Sequence, residues 1–371
     1  MISDVHSPWE KLFAPPGKPG NWLKLTFRLV RKHGEPLLLL PHRRHALSAA
    51  LALYPAQTVK AKIARELLGV FLRAGLPVGT ESVVVLADAE SPFLRFATAP
   101  EAVSAGDCFA VLFGNPRAPG PRMMLLVLDR EGRACKVIKA GTNERAQALV
   151  RAEAAFLNSM DANRLHAPAV LGEFAGVGIA ALALEYAPGK SPTADEMPPL
   201  AALLSSWLIT DRKVKFFALP AGQRLRAASG NNRRWPALEA RLAAAEFHPA
   251  IFHGDFTPWN IRVHPVTQRW QVLDWERGEA AGPPAWDWFH FIIQHQVLVR
   301  RVSPAALVDV IEGLHTCPAF RNYAGAAGIE TLLEVLLVAY MHYCQDVLRQ
   351  TEGLEVIEAF CRLAAARWLE G

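Results

Sequence analysis

The chain has 371 residues, of which 51% are hydrophobic and 20% charged, a composition that is typical of globular proteins and excludes a disordered or collagen-like chain. Its net charge of +5 is small for this length and its arginine pairs are scattered, so we expect no nucleic-acid partner. The five cysteines form no CxxC pair, which argues against a disulfide framework or a zinc site.

The length predicts two or three compact units, each with its own core. The first residues, MISDVHSPWEKLF, lack a basic start followed by an apolar run. The stretches PLLLLP and TLLEVLLVAYMHYC are too short or too amphipathic to cross a bilayer. We therefore expect a cytoplasmic protein without a membrane partner.

Residues 1–98 are predicted to form an N-terminal extension. After the Pro- and Gly-rich stretch APPGKPGNW, apolar residues alternate from Leu23 to Val30, and AKIARELLGVFLRAGL has helical periodicity. The segment contains no catalytic pattern. Its role stays open between packing on the next unit, a dimer contact and the binding of a partner.

Short strands are predicted from about Asp107 onward. The segments CFAVLF, RMMLLVLD and ACKVIK are separated by the loop GNPRAPGP and the turn DREG, a pattern that predicts an antiparallel meander. A helix from about Asn143 to Met160 and two further strands, AVLGEF and GIAALALEY, complete this unit. After Pro188 the pattern is mainly helical.

The helix that starts near Asn143 carries a glutamate among its apolar residues. Glu153 shares a face with Val150 and Leu157 at spacings of three and four. A buried carboxylate needs a cationic partner, because burying it alone costs on the order of several kcal/mol. Alternation in ACKVIK puts Lys139 at the end of its strand, within reach of Glu153 and of a ligand, and Lys136 takes its place if the register shifts by one residue.

The stretch HGDFTPWN has the form His-x-Asp-x-x-x-x-Asn. Fourteen residues after Asn260, the apolar strand pattern WQVLDWE delivers Asp274, so a hairpin can bring Asn260 and Asp274 to the same end. An amide oxygen and a carboxylate suit Mg²⁺ when phosphates and waters fill its other positions. Asp255 stands apart from these ligands, where the loop can aim it at a substrate hydroxyl whose proton it accepts.

Lys139 and Glu153, followed by HGDFTPWN and VLDWE, together resemble the aminoglycoside phosphotransferase and choline kinase family within the protein-kinase-like fold. The resemblance spans about residues 107 to 290. It implies an α+β, bilobal protein-kinase-like fold in which the N-terminal extension precedes a small antiparallel-sheet N-lobe, residues 99–186, and a mainly helical C-lobe, residues 187–371.

The resemblance also implies ATP and Mg²⁺ as cofactors and a role for each motif residue. Lys139 grips the phosphates of the nucleotide, and Glu153 holds Lys139. Asp255 is the catalytic base, and Asn260 and Asp274 bind Mg²⁺.

Further positions are assigned by the same resemblance. His253 braces the catalytic loop. Asp287 resembles a family aspartate at the start of the next helix, where N-capping and support of the loop are favoured over direct chemistry.

The nucleotide contacts implied outside the motifs are mainly backbone contacts. LALEYAPG resembles the hinge between the lobes, where the carbonyl of Glu185 and the amide of Ala187 recognise adenine. GNPRAPGP takes the place of the phosphate-covering loop, although it is not GxGxxG, and Gly114 and Asn115 are its candidate contacts.

The acceptor is expected to be a hydroxyl group of a small molecule. Only twelve residues separate Asp274 from Asp287, a gap that holds no activation segment of a protein kinase. The basic net charge favours a sugar, a sugar-linked intermediate or an amino alcohol over a polycationic aminoglycoside-like compound. The alternatives are a catalytically silent kinase-like binding module and, less favoured, a protein kinase.

Two further groups of His and Tyr residues lie outside the motifs. His290 and His295 are five residues apart and do not share a helical face, so metal ligation is not expected there. Tyr340, His342 and Tyr343 fit the helical core and could also line a substrate pocket.

Overall fold

The computed structural model describes residues 9–13, 22–54, 56, 58–99, 109–114, 120–229, 235–348 and 354–368. The chain divides into two compact units, Met1–Ser159 with Pro168–Ala187 and Met160–Ala167 with Pro188–Gly371. The first is built on one large antiparallel sheet and the second is mainly helical. This confirms the predicted α+β fold class, with a sheet-based first unit and a mainly helical second unit.

The first unit contains eight strands and five helices among its described residues. The strands are β1 (Trp22–Lys32), β2 (Glu35–Pro41), β3 (Thr80–Asp88), β4 (Phe109–Phe113), β5 (Met123–Leu128), β6 (Ala134–Gly141), β7 (Val170–Gly176) and β8 (Ile179–Glu185). The helices are α1 (Glu10–Phe13), α2 (Leu47–Ala52), α3 (Val59–Arg73), α4 (Pro92–Thr98) and α5 (Glu144–Ser159). The strand order is β3-β1-β2-β4-β5-β6-β8-β7.

Both faces of this sheet are buried over its central strands. On β5, Leu125 and Val127 pack in one core, which α1 and α4 cover, whereas Leu126 and Leu128 pack in a second core under α2 and α3. Because side chains alternate along a strand, a continuous apolar run such as MMLLVL supplies both cores at once. The central strands are therefore a rigid support for the residues at their ends.

The described part of residues 1–98 belongs to the same sheet. Strand β2 pairs with β4 through Leu38 and Leu39, so this segment shares its cores with the strands that follow. No boundary between compact units falls at residue 98. On α3, the side chains of Ile63, Leu67 and Val70 are 55%, 52% and 54% exposed, and a partner or dimer contact through this segment stays a prediction.

The second unit contains nine helices and six short strands among its described residues. The helices are α6 (Ala162–Leu165), α7 (Met197–Ser206), α8 (Pro220–Ala228), α9 (Trp235–Ala244), α10 (Trp286–Gln294), α11 (Pro304–Thr316), α12 (Pro318–Ala327), α13 (Leu333–His342) and α14 (Leu354–Trp368). The strands form three pairs: β9 (Val214–Lys215) with β10 (Glu246–Phe247), β11 (Ala250–Phe252) with β14 (Glu279–Gly282), and β12 (Ile261–Val263) with β13 (Trp270–Val272).

Two buried helices form the centre of the second unit. All residues of α10, and all residues of α13 except Glu334, are buried, as expected of helices that are largely apolar on every side. The rings of Trp286 and Tyr340 join them at a centroid distance of 6.0 Å, and the Trp286 indole N–H donates to the Leu336 carbonyl at 3.0 Å. Within the described ranges, none of the helices combines the length and hydropathy that crossing a membrane requires.

Candidate active site

Lys139 and Glu153 form a buried ion pair in the first unit. Lys139 Nζ lies 2.6 and 2.8 Å from the two carboxylate oxygens of Glu153, and the Glu153 side chain is fully buried. Ile138 packs in the core on the opposite face of β6, as alternation predicts. Lys136 instead donates to the carbonyl of Ala99, so the structure brings Glu153 together with Lys139 rather than with the alternative lysine.

A glycine allows the helix to approach the strand that carries Lys139. A Cβ on Gly141 would lie 2.5 Å from the backbone carbon of Ala146, in the first turn of α5. The same turn is capped by Asn143, whose Oδ1 accepts the Ala146 N–H at 2.8 Å. The absent side chain at Gly141 and this cap together position α5 so that Glu153 reaches β6.

The predicted nucleotide contacts lie partly outside the described residues. Glu185 ends β8, and Ala187 is the last residue of the first unit. The Gly114 N–H donates to the Arg122 carbonyl at 2.8 Å, and a Cβ there would meet that oxygen at 2.5 Å. Asn115 lies outside the described residues.

In the second unit, Asp287 anchors the loop that follows β11. Its carboxylate accepts the backbone N–H groups of His253 at 2.8 Å and of Gly254 at 3.2 Å. Burial raises the pKa of Asp287 to about 7, against the lowering effect of these two hydrogen bonds. The contacts correspond to the predicted support of the loop.

The predicted N-cap role of Asp287 is wrong. The N-cap of α10 is Ala285, which has a left-handed φ of 66° and makes no side-chain cap hydrogen bond. Asp287 is inside the first turn, where its carboxylate accepts the N–H groups of His253 and Gly254 in the loop that follows β11. The backbone turn at Ala285 therefore moves the helix start by two residues relative to the predicted cap.

His253 links this loop to the hairpin that carries Asp274. Its Nε2 lies 2.8 Å from the Leu273 carbonyl, and its Nδ1 accepts the Asp255 N–H at 3.2 Å. Burial lowers the pKa of His253 to about 4, so the ring is neutral at physiological pH with its proton on Nε2. These two contacts fit the predicted brace. One ties the ring to Leu273, the residue before Asp274, and the other ties it to Asp255.

Asn260 and Asp274 flank one end of the β12–β13 hairpin. The Leu273 N–H donates to the Asn260 carbonyl at 2.8 Å, and Ile261 pairs with Val272 in the adjoining ladder. Asp274 has a left-handed φ of 69°, a conformation that is uncommon outside glycine and frequent at functional sites. The sequence prediction that a hairpin brings the two residues to one end agrees with this geometry.

The two side chains supply the oxygen donors that Mg²⁺ prefers. The amide nitrogen of Asn260 donates to the backbone carbonyl of Asp255 at 3.0 Å and to its Oδ2 at 3.1 Å, which leaves the amide oxygen as the atom available to a metal. With the Asp274 carboxylate, this gives two hard ligands, a set that fits an ion completed by phosphates and waters. The part of the chain that the structure describes holds no cluster of three or more His, Cys, Asp or Glu residues suited to a metal.

Asp255 lies between two hydrogen-bonding neighbours. Its Oδ1 is 3.0 Å from His290 Nε2, its Oδ2 accepts from Asn260, and its side chain is 32% exposed. Sequence reasoning missed His290, which it considered only as a metal ligand. The available signal was the spacing of three residues from Asp287, which puts both side chains on one face of α10.

A segment of the second unit is similar to a known protein family. Residues 195–329 match the model of the phosphotransferase enzyme family. The matched segment is 135 of the 371 residues and contains HGDFTPWN and VLDWE, whereas Lys139 and Glu153 precede it. This part of the chain is therefore similar to the family that the motifs resemble. A comparison with curated proteins finds no match.

Several solved structures are similar to the chain at low identity. An aminoglycoside-3'-phosphotransferase of type VIII has 18% identity and a TM-score of 0.38, with 61% of this chain and 90% of that chain covered. Choline kinase LicA from Streptococcus pneumoniae has 13% identity, a TM-score of 0.39 and coverage of 66% and 90%. Aminoglycoside phosphotransferase APH(3'')-Id from Streptomyces rimosus has 14% identity, a TM-score of 0.40 and coverage of 67% and 94%.

Proposed function

We propose that the protein transfers the γ-phosphoryl group of ATP to a hydroxyl group of a small molecule in the presence of Mg²⁺. The observation that carries the proposal is the setting of Asp255. Its carboxylate is partly exposed and contacts His290 and Asn260, and its loop is anchored by buried His253 and Asp287. A carboxylate held in one orientation, with lone pairs left for a hydroxyl, suits a general base.

Asn260 and Asp274 are the proposed ligands of Mg²⁺. When bound, the ion would neutralise charge on the phosphates. The Asn260 side chain would serve both functions, since its nitrogen orients Asp255 while its oxygen is available to the ion.

Lys139 is proposed to bind the phosphates of the nucleotide, with Glu153 keeping the lysine extended and charged. The buried pair supports this role, because two charge-assisted hydrogen bonds from Lys139 to Glu153 hold the ammonium group in one position near the end of β6. The carbonyl of Glu185 and the amide of Ala187 are the proposed adenine contacts. Gly114 and Asn115 are the proposed contacts of the phosphate-covering loop.

The proposed acceptor is a small molecule rather than a protein segment. The chain between Asp274 and α10 folds back as β14, which pairs with β11 through Ala250 and Gly282 and through Phe252 and Glu279. A protein kinase would need the residues between Asp274 and α10 to bind its peptide substrate. Here part of that short segment is already paired with β11. The basic net charge favours a neutral or anionic acceptor such as a sugar, a sugar-linked intermediate or an amino alcohol.

The proposal is tested by ADP release from ATP and Mg²⁺ with a panel of hydroxyl-bearing metabolites. At least one acceptor should stimulate ADP release, give a phosphate ester detectable by mass spectrometry, and lose this effect when EDTA is added. Nucleotide binding without stimulation by any acceptor would instead favour the silent binding module. Transfer of labelled phosphate to proteins of a lysate, but to no small molecule, would favour a protein kinase.

A further inference from the structure

A line of side chains runs from Asp255 into the helical core. His290 Nε2 lies 3.0 Å from Asp255 Oδ1, and His290 Nδ1 lies 2.9 Å from the hydroxyl of Tyr340. His290 is 2% exposed and Tyr340 is 1% exposed. Both ring nitrogens therefore have partners on other elements, since α10 carries the ring, α13 carries the hydroxyl and the catalytic loop carries the carboxylate.

These partners determine where the ring proton lies. An ionised carboxylate only accepts hydrogen bonds, so His290 must carry a proton on Nε2 to bond Asp255. Burial raises the pKa of Tyr340 well above its ordinary value, so its hydroxyl keeps its proton and can donate it to Nδ1. A ring with a proton on Nε2 satisfies both contacts, whereas a ring protonated on Nδ1 alone would place a nitrogen lone pair against the carboxylate of Asp255.

We propose that His290, with its tautomer set by Tyr340, is a positioning residue that holds the carboxylate of Asp255 in the orientation needed to accept the substrate's proton. This inference rests on the proposed function, in which Asp255 is the base. Asn260 contacts Oδ2 from within the same loop, whereas His290 ties Oδ1 to a buried helix. The two contacts together fix the plane of the carboxylate, so its remaining lone pairs keep a constant direction.

The hydrogen-bonded residues Asp255, His290 and Tyr340 do not form a path by which the substrate's proton reaches solvent. Tyr340 is buried and keeps its proton, and His290 already carries its proton on the side of Asp255. His290 therefore acts by holding Asp255 and by donating to its charge, which is a charge-assisted hydrogen bond. The effect of its loss should fall on turnover rather than on binding of the nucleotide.

Kinetics of three variants test this role with the acceptor found in the screen described above. His290→Phe removes the donor and should lower kcat by about 100-fold with the KM for ATP unchanged, since a misplacement of the base by about 1 Å has an effect of this size. His290→Gln places an amide N–H near the position of Nε2 and should recover at least about tenfold of that loss. Tyr340→Phe removes the hydroxyl and should lower kcat by about tenfold because the tautomer is no longer fixed.

Two matched variants control for the loss of packing. Ile293→Val makes a small change in the buried face of the same helix, and Tyr323→Phe removes another buried tyrosine hydroxyl, one that accepts the Ala285 N–H at 3.1 Å. Both should keep kcat within about twofold of the unmodified protein, a change well under 1 kcal/mol in the barrier. Circular dichroism and thermal unfolding establish that each variant is folded.

Nitrogen NMR of histidine-labelled protein tests the geometry without any substrate. The resonances of His290, assigned by their loss in His290→Gln, should show a proton on Nε2 and an unprotonated Nδ1. Tyr340→Phe and Asp255→Asn should each shift the ring toward a mixture of tautomers. A purely packing role of the ring predicts no such response.

The two proposals fail in different ways. Absence of acceptor-stimulated turnover in the unmodified protein contradicts the proposed function, and the NMR result still decides whether His290 donates to Asp255. A ring without a proton on Nε2 in the unmodified protein overturns the positioning role. So does a folded His290→Phe or Tyr340→Phe variant with unreduced kcat, or a His290→Gln variant no better than His290→Phe.

Discussion

The ammonium group of Lys139 lies between both carboxylate oxygens of Glu153, at 2.6 and 2.8 Å, in a part of the first unit where the glutamate is fully buried. Such a pair is weak evidence for stability, because the desolvation of two charges offsets much of their attraction. The presence of the Lys139–Glu153 pair fits instead the proposed role of Lys139 in binding the phosphates. Stability and function can therefore be separated by substitution.

Glu153→Gln should destabilise the first unit by about 3 to 5 kcal/mol, because it leaves the Lys139 charge buried without its counter-charge. The double variant Lys139→Met/Glu153→Leu removes both charges and should recover most of that loss, yet remain inactive. Denaturant unfolding and ADP release measure the two properties. A double variant as unstable as Glu153→Gln would contradict the argument from the unpaired charge.

Gly141→Ala should weaken the same site without changing a charge. Its Cβ would lie 2.5 Å from the backbone carbon of Ala146, so α5 must move away from β6 and draw Glu153 from Lys139. We expect a loss of about 1 to 3 kcal/mol in the free energy of unfolding, as for overpacking, and a raised KM for ATP. Gly313→Ala is the matched control, because a Cβ there meets nothing within 4 Å, and it should leave both quantities unchanged or slightly raise stability.

The parts of the site that the sequence predicts are those governed by local periodicity. Alternation along β6 and the spacing of three and four on α5 place Lys139 and Glu153 towards each other. The strand patterns on both sides of Asn260 and Asp274 predict the hairpin. Each of these arguments requires only the geometry of one element or of two neighbouring elements.

The parts that the sequence does not predict depend on contacts between distant segments. The pairing of β2 with β4 joins Leu38 to Leu112, and no pattern within residues 1–98 indicates that partner. His290 meets Asp255 only because α10 packs beneath the loop, and the start of α10 is set by a left-handed backbone at Ala285. Composition carries no signal for such a backbone conformation, since alanine is not a residue that favours it.

Asp255→Asn should remove phosphotransfer and leave nucleotide binding nearly intact. The amide keeps the size of the side chain but cannot accept a proton, and the loss of a general base typically lowers the rate by about 100- to 10,000-fold. Acceptor-stimulated ADP release measures turnover, and calorimetric titration with ATP and Mg²⁺ measures binding. Full turnover in this variant would remove Asp255 from the catalytic role.

Substitutions of Asp274 should separate its backbone conformation from its charge. Asp274→Asn tolerates the left-handed φ of 69° and should be nearly neutral in stability, whereas Asp274→Ala should cost about 1 to 2 kcal/mol. Both should lose Mg²⁺-dependent turnover because both lack the carboxylate. Thermal unfolding and a magnesium titration of activity provide the two readouts, and equal stability of the two variants would contradict the strain argument.

The stability of the second unit should depend on pH through two buried groups that act in opposite directions. The pKa of His253 is lowered to about 4 in the folded protein, so its contribution to stability is present above the unfolded pKa of about 6.5 and is lost as the pH falls towards 4. The pKa of Asp287 is raised to about 7, so its contribution is present below about 3.9 and is lost as the pH rises through 7. Each shift corresponds to roughly 3 to 4 kcal/mol, and the two largely cancel between pH 4 and 6.5.

Single substitutions should expose the two opposing slopes. In Asp287→Asn, the His253 contribution stands alone, so the free energy of unfolding should fall as the pH falls from 6.5 to 4. In His253→Gln, the Asp287 contribution should make stability rise over the same interval relative to the double variant. The double variant is the baseline, because it keeps His166, whose pKa burial lowers, and Glu279, whose pKa burial raises. Urea unfolding at half-unit pH steps measures these slopes, and parallel pH profiles for the two single variants would show that these groups do not titrate as their burial requires.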